Sequence, residues 1–167
     1  TVTKAPNISA ELTPEMTVTP TVTVAPVSSI TEVPTEVPPY VIENDNPDIV
    51  IKNGVMTRYT GAEEDVVVPF GVTEIGIACF RNNQTLVSVT LPDTVQKIER
   101  YAFFGCSNLE KIEFGNGLTE IVESGFSGCR SLKLLYFPNS LLKIGEFAFS
   151  GCTSVEEIVF GANVTEI

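Results

Sequence analysis

The sequence predicts a repeat solenoid, mainly β with short turns, in which the chain winds as a right-handed coil and stacks its strands into a parallel sheet. Three observations carry this expectation. Ile75, Ile98, Ile121, Ile144 and Ile167 recur every 23 residues without a gap. Five further apolar columns keep step with them. Each unit is also punctuated at the same place by Pro or Gly, and self-similarity at a fixed period of this length is the signature of a repeat architecture.

The units are 75–97, 98–120, 121–143 and 144–166, with the leading Ile as position zero. Position five is Phe80, Phe103, Phe126 and Phe149, and position eleven is Leu86, Leu109, Leu132 and Val155. Position fourteen is Val89, Ile112, Leu135 and Ile158. Position sixteen is Leu91, Phe114, Phe137 and Phe160, and position twenty is Val95, Leu118, Leu141 and Val164. One unit cannot bury six large apolar groups by itself, whereas stacked units can cover one another. The alternation at positions fourteen and sixteen reads as a short half-buried strand. Pro92, Gly115, Pro138 and Gly161 stop that strand at position seventeen. The stretch from position twenty to the next zero is also expected to be extended. Small residues at position four (Cys79, Ala102, Gly125, Ala148) leave room for a turn, and Gly105, Gly128 and Gly151 supply permissive dihedrals at position seven. Rungs at the strand spacing of about 4.8 Å make five coils roughly 25 Å long.

Residues 48–74 read as an N-terminal cap, since the ends of a repeat array must shield its core. Val66, Val68, Pro69 and Val72 fit the repeat, while IVIKNGVMTRY before them reads as a hairpin turning at Asn53-Gly54. At the other end Ile167 opens a fifth unit, so the repeats 75–167 are expected to continue beyond it. The alternative is that a partner covers an uncapped last coil, with end-to-end self-association through it.

Residues 1–47 differ from the rest. Thr, Val and Pro fill 24 of the first 46 positions, with seven prolines and neither Cys nor Gly. That composition belongs to exported stalks, and the segment is expected to be a disordered linker holding the domain off a surface. A plain disordered terminus is the alternative, and a Thr/Val strand added to a sheet edge is a third. The chain opens on Thr1, so an export signal or anchor is expected to lie outside it.

The stretches IERYAFFGCSNLEKIEFGNGLTE, IVESGFSGCRSLKLLYFPNSLLK and IGEFAFSGCTSVEEIVFGANVTE closely resemble the BspA-like, or Treponema-type, leucine-rich repeat. The resemblance covers about residues 48–167. The first unit departs from the pattern, with Cys79 one place before Phe80 and Asn83 where Cys is expected. The resemblance implies a leucine-rich-repeat coil and a secreted or cell-surface bacterial protein. It further implies adhesion to a protein partner on a host or microbial surface, and no catalytic residues.

The residues themselves point the same way. The net charge of −11 argues against nucleic acid, which needs a basic face. No apolar run is long enough to cross a bilayer. The chain has no His, which removes the commonest general base and metal ligand. No enzyme activity and no cofactor are expected. Cys106, Cys129 and Cys152 share position eight and read as a buried ladder of small apolar side chains. A disulfide is the rival, but side chains on parallel rungs point the same way and keep their β-carbons apart. A metal site needs converging ligands, which such rungs do not give. Glu63-Glu64-Asp65, Glu156-Glu157 and the Asp45, Asn46, Asp48 group have no metal-loop spacing and read as solvated. The sequons at Asn7, Asn83 and Asn163 matter only in a eukaryotic secretory route.

The remaining candidate is the outward face of the strand, at positions thirteen and fifteen. Its binding residues are expected to be Lys111, Glu113, Leu134, Tyr136, Glu157 and Val159. Leu134, Tyr136 and Val159 are neighbouring apolar groups where polar ones would suffice, and exposed apolar clusters mark contact sites. Three functions compete: a non-catalytic interaction module, an accessory repeat domain of a larger secreted enzyme, and a structural spacer or assembly unit.

Overall fold

The computed structural model describes residues 44–167, so most of the expected linker lies outside the described residues. The described part is a β-solenoid of five coils, and among the described residues there is no helix. A hairpin opens it: β1 (Ile49–Lys52) pairs antiparallel with β2 (Val55–Tyr59). Asn53 and Gly54 join them, both at positive φ (50° and 80°), the pair of dihedrals that a tight hairpin turn requires.

From there each coil gives two rungs. Position zero and the residue before it form two-residue strands: β4 (Glu74–Ile75), β6 (Lys97–Ile98), β8 (Glu120–Ile121) and β10 (Lys143–Ile144). Positions thirteen to fifteen form three-residue strands: β3 (Asp65–Val67), β5 (Ser88–Thr90), β7 (Lys111–Glu113), β9 (Leu134–Tyr136) and β11 (Glu157–Val159). The first set extends the hairpin into a six-stranded sheet ordered β1-β2-β4-β6-β8-β10, and the second makes a five-stranded sheet ordered β3-β5-β7-β9-β11. The coil therefore carries two parallel sheets, where the strongest sequence pattern marked one. From β3 and β4 onward every coil-to-coil partner is offset by 23 residues, as in Ile75↔Ile98 and Ser88↔Lys111, whereas the hairpin joins the repeat at a shorter offset, with Met56 beside Ile75.

The six apolar columns point into the space between the sheets. Phe80, Phe103 and Phe126 are almost wholly buried. Their rings stack at 4.8 Å, nearly parallel, and Phe149 follows at 5.1 Å. That spacing equals the rung spacing of a sheet, so one identical side chain per coil packs face to face with its copy. Replacing one ring with Ala costs about 3–5 kcal/mol in a core of this kind.

The turn side is laddered too. The amides of Phe80, Phe103 and Phe126 each donate to a carbonyl of the next coil (Ala102, Gly125, Ala148) at 2.8 Å. The cysteines finish this side. The thiols of Cys106, Cys129 and Cys152 donate to the carbonyls of Phe80, Phe103 and Phe126 at 3.0–3.2 Å. All four cysteines are free thiols. Burial pushes Cys79 and Cys106 up to about 12 and the more open Cys152 up to about 11. In the first unit Asn83 stands in for Cys, its carboxamide oxygen accepting from the Thr85 and Leu86 amides. Asn83 is therefore occupied in holding a turn.

Gly105, Gly128 and Gly151 have φ of 71–80°, as their place in the pattern required. The sequence did not mark a second left-handed column at position three: Ala78, Tyr101, Ser124 and Phe147, with φ of 55–59°. Non-glycine residues pay roughly 1–2 kcal/mol there, and the stacked coils on either side supply it.

Candidate functional site

Period-two geometry sets the outward face of the five-stranded sheet. In β7 and β9 the middle residues Ile112 and Leu135 point to the core, and their neighbours point to solvent. All six candidate residues stand on this face, on three successive rungs. Leu134, Tyr136 and Val159 are 40%, 53% and 43% exposed, so the apolar cluster is at the surface. Lys111 Nζ lies 2.5 Å from Glu113 on the same rung, and Lys133 lies 2.6 Å from Glu110 one coil away. The Tyr136 hydroxyl donates to Glu157 at 2.9 Å. The Lys111 ammonium holds the Glu113 carboxyl below its ordinary range, and the Glu157 acceptor raises the Tyr136 phenol above its own.

The sequence did not reveal that the sheet is open at this point. Three of its four junctions pair all three rung residues: β3 with β5, β5 with β7, and β9 with β11. The fourth, β7 with β9, pairs Lys111 with Leu134 and goes no further. Elsewhere the position-sixteen amide closes the junction, as with Val68 to Thr90, Leu91 to Glu113 and Phe137 to Val159, at 2.9–3.0 Å. Among the described residues the equivalent Phe114 amide has no backbone acceptor. The gap forms a groove of about 470 Å³ with Ile112, Phe114, Leu134 and Tyr136 as its apolar wall and Glu110, Lys111, Glu113 and Lys133 as its charged rim. Phe114 is half-buried here, although its column-mates Leu91 and Phe137 are buried. The groove thus gathers four of the six expected residues. Glu157 reaches it only through the Tyr136 phenol, and Val159 stands on the next rung.

A profile described as "BspA type Leucine rich repeat region (6 copies)" matches residues 58–167, and a leucine-rich repeat protein of Treponema pallidum matches at 40% identity with a TM-score of 0.66. The chain belongs to the BspA-type leucine-rich repeat family. The Treponema match covers 68% of this chain and 55% of that one. A leucine-rich cell surface protein of Faecalibacterium prausnitzii matches at 36% identity and TM-score 0.64, covering 68% of this chain and 30% of that one. The pneumococcal vaccine antigen PcpA matches at 25% identity and TM-score 0.64, covering 66% and 28%. This chain spans about half the length of the Treponema protein and under a third of the other two. No curated protein matches it.

The other polar clusters among the described residues of this BspA-type repeat domain hold turns and coil junctions. Among the described residues no three His, Cys, Asp or Glu side chains converge as metal ligands. Asp48 and Asn46 are used in turns, with Asn46 accepting from the Asp48 amide at 2.9 Å. On the turn side Arg81 lies over Tyr101 and Phe104, at 5.8 and 5.4 Å from the ring centroids. This pairing is a cation–π contact at a coil junction. No helix among the described residues is long and apolar enough to cross a membrane.

Proposed function

We propose that the chain is a non-catalytic interaction module of a secreted or cell-surface bacterial protein. It adheres to a protein partner on a host or microbial surface through the outward face of the five-stranded sheet. The observation that carries this reading is the exposed apolar run of Leu134, Tyr136 and Val159 beside the open β7/β9 junction. The stacked coils hold these groups at fixed spacing, so this face loses little freedom on binding. Tyrosine is among the side chains enriched at the energetic centres of interfaces. Relatives described as a cell surface protein and a vaccine antigen support the location. The membership in a repeat family, together with the chain's lack of histidine, supports a role without catalysis.

The test is capture of proteins from a mucosal surface extract by the full chain and by its Leu134→Ser/Tyr136→Ser variant, with circular dichroism verifying the fold of both. The expected result is loss of the captured partner with an unchanged spectrum. Equal capture by both proteins rejects this surface.

A further inference from the structure

The open junction has a chemistry of its own. Its floor is apolar, from Phe114, Ile112, Leu134 and Tyr136. Its rim carries Lys111 and Lys133 against Glu110 and Glu113, and Glu156 and Glu157 follow on the next coil. Lys111 and Lys133 are both taken up by carboxylates at 2.5 and 2.6 Å, and among the described residues Glu156 and Glu157 have no cation within ion-pair distance. Glu157 instead accepts from Tyr136. The rim itself is balanced, and the surplus negative charge lies on the coil beside it, at Glu156 and Glu157. At the floor the Phe114 amide lacks the acceptor that its equivalents have in the other coils, and an unmatched backbone donor of this kind favours an incoming polar group.

We infer that the β7/β9 groove receives one aromatic or branched side chain of an extended segment of a partner protein, flanked by basic residues that meet Glu156 and Glu157 on the neighbouring coil. This inference rests on the interaction-module reading and names the chemistry of its partner. The chain's own Thr/Val-rich segment is the competing occupant. Residues 1–43 carry one lysine and five glutamates, and the stretch 17–27 within them has no charge at all, so neither offers the basic flanks that Glu156 and Glu157 favour.

The experiment is a nuclear magnetic resonance titration of the full chain with short peptides. The probes are Lys-Thr-Phe-Thr-Lys, Glu-Thr-Phe-Thr-Glu, Lys-Thr-Ala-Thr-Lys and a peptide of residues 17–27. The first is expected to shift the amides of Phe114, Leu134 and Tyr136 saturably. The acidic probe should bind about fivefold or more weakly, and the alanine probe about tenfold or more weakly. The Glu156→Gln/Glu157→Gln variant should keep the shifts and lose much of the preference for the basic probe. Equal binding of the acidic or alanine probe, absence of shifts at these amides, or tighter binding of the 17–27 peptide would overturn the inference. Partner capture by the wild-type and Leu134→Ser/Tyr136→Ser proteins is read separately, so a groove that ignores charge is distinguishable from a face that binds no protein.

Discussion

The two sheets are built from the same 23-residue repeat and have opposite characters. The six-stranded sheet uses two residues per coil, and its outward column alternates in sign: Glu74, Lys97, Glu120, Lys143, Glu166. Lys97 approaches Glu120 at 3.6 Å and Lys143 approaches Glu166 at 3.0 Å. Opposite charges on facing rungs favour the correct register and disfavour a slip. The five-stranded sheet uses three residues per coil, and its outward columns run from Ser88 and Thr90 to Leu134 and Tyr136 without any such rule. It is also the sheet that opens. One side of the coil is ordered by a repeated charge code, while the other is free to vary and carries the exposed apolar groups. A repeat scaffold thus keeps its shape with one set of positions and varies its surface with another.

The largest effect expected from this contrast is in stability. Ile121→Ala, on the six-stranded sheet and fully buried, should cost about 2–5 kcal/mol. Leu134→Ser, on the outward face of the other sheet, should cost about 0.5 kcal/mol or less, measured by urea unfolding. Similar losses at both sites would mean that Leu134 packs as a core residue and that the outward face of the five-stranded sheet is not free to vary. The turn side gives an intermediate effect: Gly128→Ala, at φ 80°, should cost about 1–2 kcal/mol. Thiol chemistry sharpens the picture further. Since burial raises the thiols of Cys79, Cys106 and Cys129 most, the native protein at pH 8 should leave these three unreactive toward a chromogenic disulfide. Cys152, raised only to about 11, should react first, and all four should react in denaturant. The smallest effect belongs to the charge ladder. Lys97→Met should destabilise by less than about 1 kcal/mol, and added salt should erase the difference.

Most of the coil was legible in the sequence because its cause is periodic. Six apolar columns at one spacing have few ways to be buried together, and the Asn53-Gly54 turn and the position-seven glycines follow from backbone sterics alone. The second sheet was fainter, since a two-residue rung such as Lys97–Ile98 offers no alternation to detect. The left-handed column at position three left no trace, because Ala78, Tyr101, Ser124 and Phe147 share no property that marks a positive φ. The candidate face was legible as a direction, from the strand period, and Leu134 and Tyr136 stood out on it. The open junction beside them was not. It is a break in hydrogen bonding between two coils whose residues fit the repeat as well as their neighbours do, and Phe114 looks in sequence like any other core residue of its column.

The Phe114 amide reports that break most directly. Native-state hydrogen exchange of the full chain should show the Leu91 and Phe137 amides protected by their bonds to Glu113 and Val159, and Phe114 exchanging about a hundredfold faster or more. Equal protection of all three amides would mean that the junction is closed, and the distinction between the two sheets would then lose its main support.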